Sequence, residues 1–259
     1  MKSIRIFAVV LLATLSCAAQ TTTLYDNFKG KLLDPSKWSA SSACFTNNGL
    51  ELECVREIQN GKLRLVHRNF GNRDTDTGYQ FGSANVFFAN PSLIKNITAD
   101  VTLMRIDESP CLVNPAFGGG ASIDGTFFNT GSGNQSDDVG GHLAFQRNSS
   151  TPEGQVFVFG QISQGNNFFA YTPLGNVPIG TPVTATLTWD QPNHQFLVSW
   201  VNSDTEVKTA ATIPYSLADT TPATDPAKDL RASTFPANCT ASQTSVYIET
   251  LFDNVYIGQ

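Results

Sequence analysis

Charge is scarce in this sequence, and so are helical patterns. Lys, Arg, Asp and Glu make up 15% of the 259 residues, the basic ones form no cluster, and the formal net charge is −6. A mildly acidic chain without a basic patch is a poor partner for nucleic acid or anionic lipid. No stretch keeps a 3.6-residue apolar period, which excludes a helical bundle. Histidine occurs three times, at His67, His142 and His194, and neither CxxC nor HxxxH is present, so no zinc site is spelled out. The G-x-S-x-G of a nucleophile elbow is missing. Gly118-Gly119-Gly120 lacks the Lys-Ser/Thr of a phosphate loop. Beyond the N-terminus no segment is apolar enough to span a bilayer.

What is present begins with an export pattern. Lys2 and Arg5 precede the apolar run Ile6–Leu15, and Ser16, Cys17, Ala18 and Ala19 supply small residues. That layout predicts a signal peptide over 1–19 and a single domain over 20–259, secreted or periplasmic. Losing the two charges of Lys2 and Arg5 takes the net charge from −6 to −8. Thr14-Leu15-Ser16 is a poor lipobox, which argues against lipidation at Cys17. The rest of the chain keeps Cys44, Cys54, Cys111 and Cys239, an even count that reads as two disulfides in an oxidising compartment. Of the three pairings open to four cysteines, the expected one is Cys44–Cys54 as a local staple and Cys111–Cys239 as a long-range tie. The long tie would add about 4–5 kcal/mol by the chain-entropy estimate.

Period-2 alternation recurs along the chain. Leu63 and Leu65 alternate with Lys62 and Arg64; Ile97, Ala99, Val101 and Leu103 alternate with Thr98, Asp100 and Thr102. Val183, Ala185, Leu187 and Trp189 alternate with three threonines, and Phe196, Val198 and Trp200 follow across Gln191-Pro192-Asn193, which predicts a hairpin. Leu251, Asp253, Val255 and Ile257 are expected on one face of a last strand. Similar runs cover 50–58, 79–88, 120–129, 140–147, 155–162 and 168–171, about a dozen strands in all. Ser216–Leu230, rich in Pro, Asp and Thr, is expected as a long surface loop. The pattern predicts an all-β, two-sheet antiparallel jelly-roll sandwich.

Several blocks carry a resemblance: Leu24-Tyr25-Asp26-Asn27-Phe28, Leu33-Asp34-Pro35-Ser36-Lys37-Trp38, Gly78–Val86, Ala185–Asp190 and Thr250–Ile257. In this order they resemble the concanavalin A-like lectin/glucanase superfamily, with its laminarin-G-like domains and laminarinase-type glycoside hydrolases. The resemblance covers nearly all of the chain after the export pattern. It implies a sandwich with one concave face that often holds a glycan, and by itself it implies no activity.

The laminarinase motif, E-x-D-x-x-E on one strand, has its best counterpart at Ala121–Asn129. Asp124 is kept and both glutamates are missing, so the catalytic pair does not carry over. Glu51 and Glu53 share a strand face and read as solvated residues. Polysaccharide lyases of the superfamily use Arg, His, Gln and Tyr; here His142 and Gln146 share a face, Arg147 points away, and Tyr79, Tyr171 and Arg56 could complete a set, although the lyases' own motifs are absent. Asp124, His142 and Gln146 are thus the candidate catalytic residues. Tyr79, Phe168, Phe169 and Tyr171 are candidate stacking platforms for a sugar; Trp38, Trp189 and Trp200 are expected in the core. A structural calcium is a candidate cofactor, at Asp26 and Asp253 by the resemblance, or at the Asn72–Gly78 turn. That turn departs from an EF-hand in its Gly and lacks the closing Glu.

The expectation is therefore a secreted, non-catalytic sandwich that binds a polysaccharide, a cell-surface glycan or another surface ligand. The alternatives are an atypical glycoside hydrolase or polysaccharide lyase, and a structural or adhesive envelope protein. An aromatic-lined groove with two facing carboxylates would favour the enzyme. A flat or hydrophobic face would favour the structural protein.

Overall fold

A computed structural model describes residues 22–41, 43–47, 53–115, 118–165 and 167–259, without the side chains of Phe168 and Phe169. The expected export segment 1–19, Cys17 and Glu51 lie outside the described residues. In chain order the strands are β1 (Thr22–Asp26), β2 (Cys44–Thr46), β3 (Glu53–Gln59), β4 (Lys62–Phe70), β5 (Gly82–Phe87), β6 (Asn96–Ser109), β7 (Gly118–Asn129) and β8 (Asp138–Asn148). They continue as β9 (Gln155–Gln164), β10 (Asn167–Pro178), β11 (Val183–Asp190), β12 (Gln195–Asn202), β13 (Lys208–Pro214), β14 (Thr221–Pro222), β15 (Lys228–Phe235) and β16 (Ser245–Gly258).

Two antiparallel sheets form the expected sandwich. Sheet 1 runs β13-β12-β11-β6-β16-β4-β3 with β1 added to β16; sheet 2 runs β10-β9-β8-β7-β15-β5-β2 with β14 added to β7. Alternation places Ile97, Leu187, Phe196 and Phe252 of sheet 1 against Ile123, Leu143, Val158 and Leu230 of sheet 2, all fully buried. Burying one such side chain contributes roughly 1.5–3 kcal/mol. At Gly141 the sheets pack tightly: a Cβ there would stand 2.6 Å from the Phe196 ring, so glycine lets β8 pack down at this point.

The predicted hairpin is β11–β12, in register from Val183–Asn202 to Asp190–Gln195. Trp189 and Trp200 are buried as expected, and Trp38 closes one end of the core with Tyr25, Phe28 and Phe88. The disulfides are Cys44–Cys54 and Cys111–Cys239. Among the described residues no helix is long and apolar enough to cross a membrane.

Two expectations are corrected. Leu251 and Asp253 do not share a face with Val255 and Ile257. A β-bulge between Asp253 and Tyr256, with Asn254 at φ 44°, inserts an extra step, so Phe252 and then Val255 point inward. Ser216–Leu230 is a loop only in part, since Thr221–Pro222 pairs with β7 and Lys228 already begins β15, a central strand of sheet 2.

Candidate functional site

The outer face of sheet 2 carries a groove of about 580 Å³. Its floor follows from alternation. On β7, Ala121 and Ile123 enter the core while Ser122, Asp124 and Thr126 face out. On β15, Leu230 and Ala232 enter while Asp229, Arg231 and Ser233 face out. Strand register then lines up Phe87, Asp229, Asp124, His142, Gln161 and Tyr171 as direct cross-strand neighbours, one from each of β5, β15, β7, β8, β9 and β10. Opposed residues of antiparallel strands have Cβ atoms about 4.5–5.5 Å apart, so this row is a line of neighbouring side chains.

At its centre Asp124 Oδ1 is bonded to His142 Nδ1, and the Ser122 hydroxyl donates to Asp124 Oδ2. An ionised carboxylate only accepts, so Nδ1 carries the proton and Nε2 is the ring nitrogen left for a groove-bound group. Beside them Arg231 grips Asp229 in a fork, Nε donating to Oδ2 at 2.9 Å and Nη2 to Oδ1 at 3.2 Å, while its Nε lies 3.7 Å from Asp124 Oδ2. Burial pushes the Asp124 carboxyl up, but the charges of His142 and Arg231 and the bonds from His142 and Ser122 outweigh it. Asp124 is held below the usual carboxylate range. For Asp229 burial wins: it and the Asp124 charge, against Arg231, raise this carboxyl to about 6. Burial lowers the Arg231 guanidinium, and the two carboxylates more than restore it, so its pKa is raised. Arg231 is thus already matched by two acids. Among the described residues lining the groove it is the one Lys or Arg.

Aromatic rings wall the floor on both sides. Toward β9 and β10, Phe159 lies 5.8 Å from Phe157 and 5.2 Å from Tyr171, with the His142 ring 5.7 Å from Phe159. Toward β15 and β5, Phe235 touches Tyr79 edge-on at 5.6 Å and Phe81 at 5.5 Å. Tyr79 and Tyr171 are 52% and 53% exposed, which leaves their faces open to a ligand.

The structure therefore brings together Asp124 and His142, which the sequence offered only singly; it places Tyr79 in the groove's lining and Tyr171 just outside it, against Phe159. Gln146 lines the same groove farther along β8, opposite Gly120. Arg56 lies outside the lining and donates to the Asn85 carbonyl at 3.5 Å. Arg147 does face away, donating to Glu108 at 3.1 Å. Glu53 sits 3.9 Å from Arg68 at the edge of sheet 1. Asp26 accepts from the Phe28 amide and the Trp38 indole, with the Lys37 ammonium 3.7 Å away, and Asp253 faces Asp100 across β16 and β6. In the Asn72–Gly78 turn, Asp76 accepts from the Thr240 amide and hydroxyl. Sequence reasoning missed Ser122, Gln161, Asp229 and Arg231. The alternation of Leu230 and Ala232 against Asp229 and Arg231 was the available signal for the last two.

No protein-family model matches the chain, and no curated protein is similar to it in sequence. Among solved structures, lectin UEA-II complexed with galactose is 12% identical over 90% of this chain and 98% of that one, with a TM-score of 0.42. Peanut lectin with a nine-residue peptide is 16% identical over 92% and 98%, at 0.43. Scytalido-glutamic peptidase with a peptide-based transition-state analogue is 12% identical over 61% and 65%, at 0.37. At these values the likenesses carry no argument, and the groove's own residues carry the functional reading.

Proposed function

We propose that this is a secreted saccharide-binding protein whose groove on sheet 2 takes an uncharged sugar chain. One observation carries the reading: a floor of paired polar groups is bordered by aromatic rings, Phe159 on β9 and the cluster of Tyr79, Phe81 and Phe235 with Tyr79 exposed. Sugars present both hydroxyls and an apolar C–H face, and such a site serves both. Neutrality follows from Arg231, which spends its charge on Asp229 and Asp124 and so offers little to a uronate or sulfate. The two disulfides fit an extracellular protein. Calorimetric titration against neutral and acidic polysaccharides tests the reading. The neutral ones are expected to bind, and absence of binding to every polysaccharide sinks it.

A second reading, an enzyme acting on the same sugar, is favoured by the Asp124–His142 pair, in which a carboxylate orients an imidazole whose other nitrogen is left for the groove. Two carboxylates do face each other across β7 and β15. Arg231 occupies both oxygens of Asp229, however, so they are not a free acid–base pair, and binding stands first. Release of reducing ends or unsaturated products from a bound polysaccharide, abolished by His142→Ala, would put the enzyme first.

A further inference from the structure

We infer that the groove continues over a glycine saddle into a second trough, so that its ligand is a linear saccharide chain running along the strands through both. This rests on the saccharide reading above and adds the ligand's length and direction. The second trough, about 470 Å³, shares Thr126, Gly140 and Ser163 with the first and ends among Gln135, Ser136 and Asp225. The shared residues form one cross-strand row, Thr126–Gly140–Ser163, immediately beyond the row that holds Asp124, His142 and Gln161.

Gly140 is the low point of that row. A Cβ there would meet the Gly125 carbonyl oxygen at 3.1 Å and the Ser163 hydroxyl at 3.5 Å, so the missing side chain is what keeps the passage between Thr126 and Ser163 open. From Asp138 to Asn148, β8 underlies both troughs, a path of about 33 Å at the usual rise per residue and far longer than one sugar ring.

The described side chains differ in chemistry between the two ends, which gives the chain a direction. Among the described side chains, the first trough is lined by the rings of Tyr79, Phe159 and Phe235 and none lines the second. Its far end is built instead from Gln135, whose amide donates to Asp225 Oδ2 at 3.0 Å, and from a buried Asp138 whose carboxylate takes the backbone amides of Thr224 and Asp225 at 2.8 and 2.9 Å. Asp138 thereby fixes the loop that places Asp225. One end of the ligand stacks on rings, and the other exchanges hydroxyl hydrogen bonds with amide and carboxylate.

The test is calorimetry on the full chain with cello-, laminari- and xylo-oligosaccharide ladders, from disaccharide to octasaccharide. In the ladder that binds, affinity is expected to rise with length well past the disaccharide. Gly140→Val, which walls the saddle, should cut octasaccharide affinity about tenfold and disaccharide affinity much less. Gln135→Ala, an exposed change at the far end with little effect on folding, should do the same more weakly. Length-independent binding, or equal losses for short and long sugars in both variants, overturns the two-trough inference and leaves the saccharide reading standing. No binding at any length overturns both.

Discussion

Asp124 on β7 and His142 on β8 are direct cross-strand partners, and the carboxylate of one holds Nδ1 of the other. The bond turns two ordinary outward residues of a sheet into a fixed unit. The proton is assigned to Nδ1, and Nε2 remains for a ligand.

Breaking this unit should cost stability as well as function. Asp124→Ala leaves the His142 imidazole and the Ser122 hydroxyl without their acceptor and Arg231 with one carboxylate in place of two. An expected loss of about 3 kcal/mol, in the range for a broken buried ion pair, is measurable by urea unfolding. Asp124→Asn keeps the shape but can offer its amide to Nδ1; saccharide affinity should fall while the fold persists.

His67 should make the protein acid-sensitive. The ring is fully buried between the sheets, with Nδ1 2.9 Å from the Thr234 hydroxyl. Burial, only partly offset by a backbone contact at Phe45, holds the imidazole down to about 4. The unfolded chain takes up this proton near 6.5 and the folded one only near 4, so stability is lost as pH falls through that window, by up to about 3 kcal/mol. Asp229, raised to about 6, has the opposite sign and loses stability as pH rises between about 4 and 6. Unfolding free energies of the parent and His67→Gln across pH 4–7 separate the two; the variant should show a shallower loss on acidification.

Lys228 acts at the alkaline end. Its side chain points into the sandwich, where the ammonium donates to the Thr126 carbonyl at 2.9 Å and stands 4.4 Å over the Phe127 ring. Burial lowers this amine to about 7. Between that pH and about 10.4 the unfolded chain binds the extra proton, so stability should rise with pH over the interval. Lys228→Met should be more stable than the parent at neutral pH by about 1–3 kcal/mol and lose the alkaline rise, as read from unfolding at pH 7 and 9.

The same lysine shows why part of the site stayed hidden in the sequence. On β15 the inward positions are Lys228, Leu230 and Ala232 and the outward ones Asp229, Arg231 and Ser233, so three charges in four residues look like the end of the preceding Pro-, Asp- and Thr-rich loop. Tertiary burial of an amine overrode the pattern, and Asp229 and Arg231 went with it. Asp124 and His142 were legible as outward residues of clean alternating strands. Their contact was not, because it depends on register, and a bulge between Thr126 and Phe128 shifts β7 against β8 just beyond the pair. The last strand failed for a similar reason at Asn254. The sandwich and the β11–β12 hairpin were readable because local alternation suffices for them, and cysteine parity gave the number of disulfides, with the nearness of Cys44 and Cys54 in sequence favouring one pairing.

The most direct measurement compares the parent with a Tyr79→Ala/Tyr171→Ala double variant in calorimetric titration with a neutral oligosaccharide and, in parallel, an oligouronate. Both rings are exposed, so the variant should unfold at the parent's midpoint. The parent should bind the neutral sugar in preference to the uronate, and the double variant should lose about 5- to 150-fold in affinity, two rings at about 0.5–1.5 kcal/mol each. Unchanged binding in the double variant, or a parent that prefers the uronate, contradicts a groove built for an uncharged saccharide.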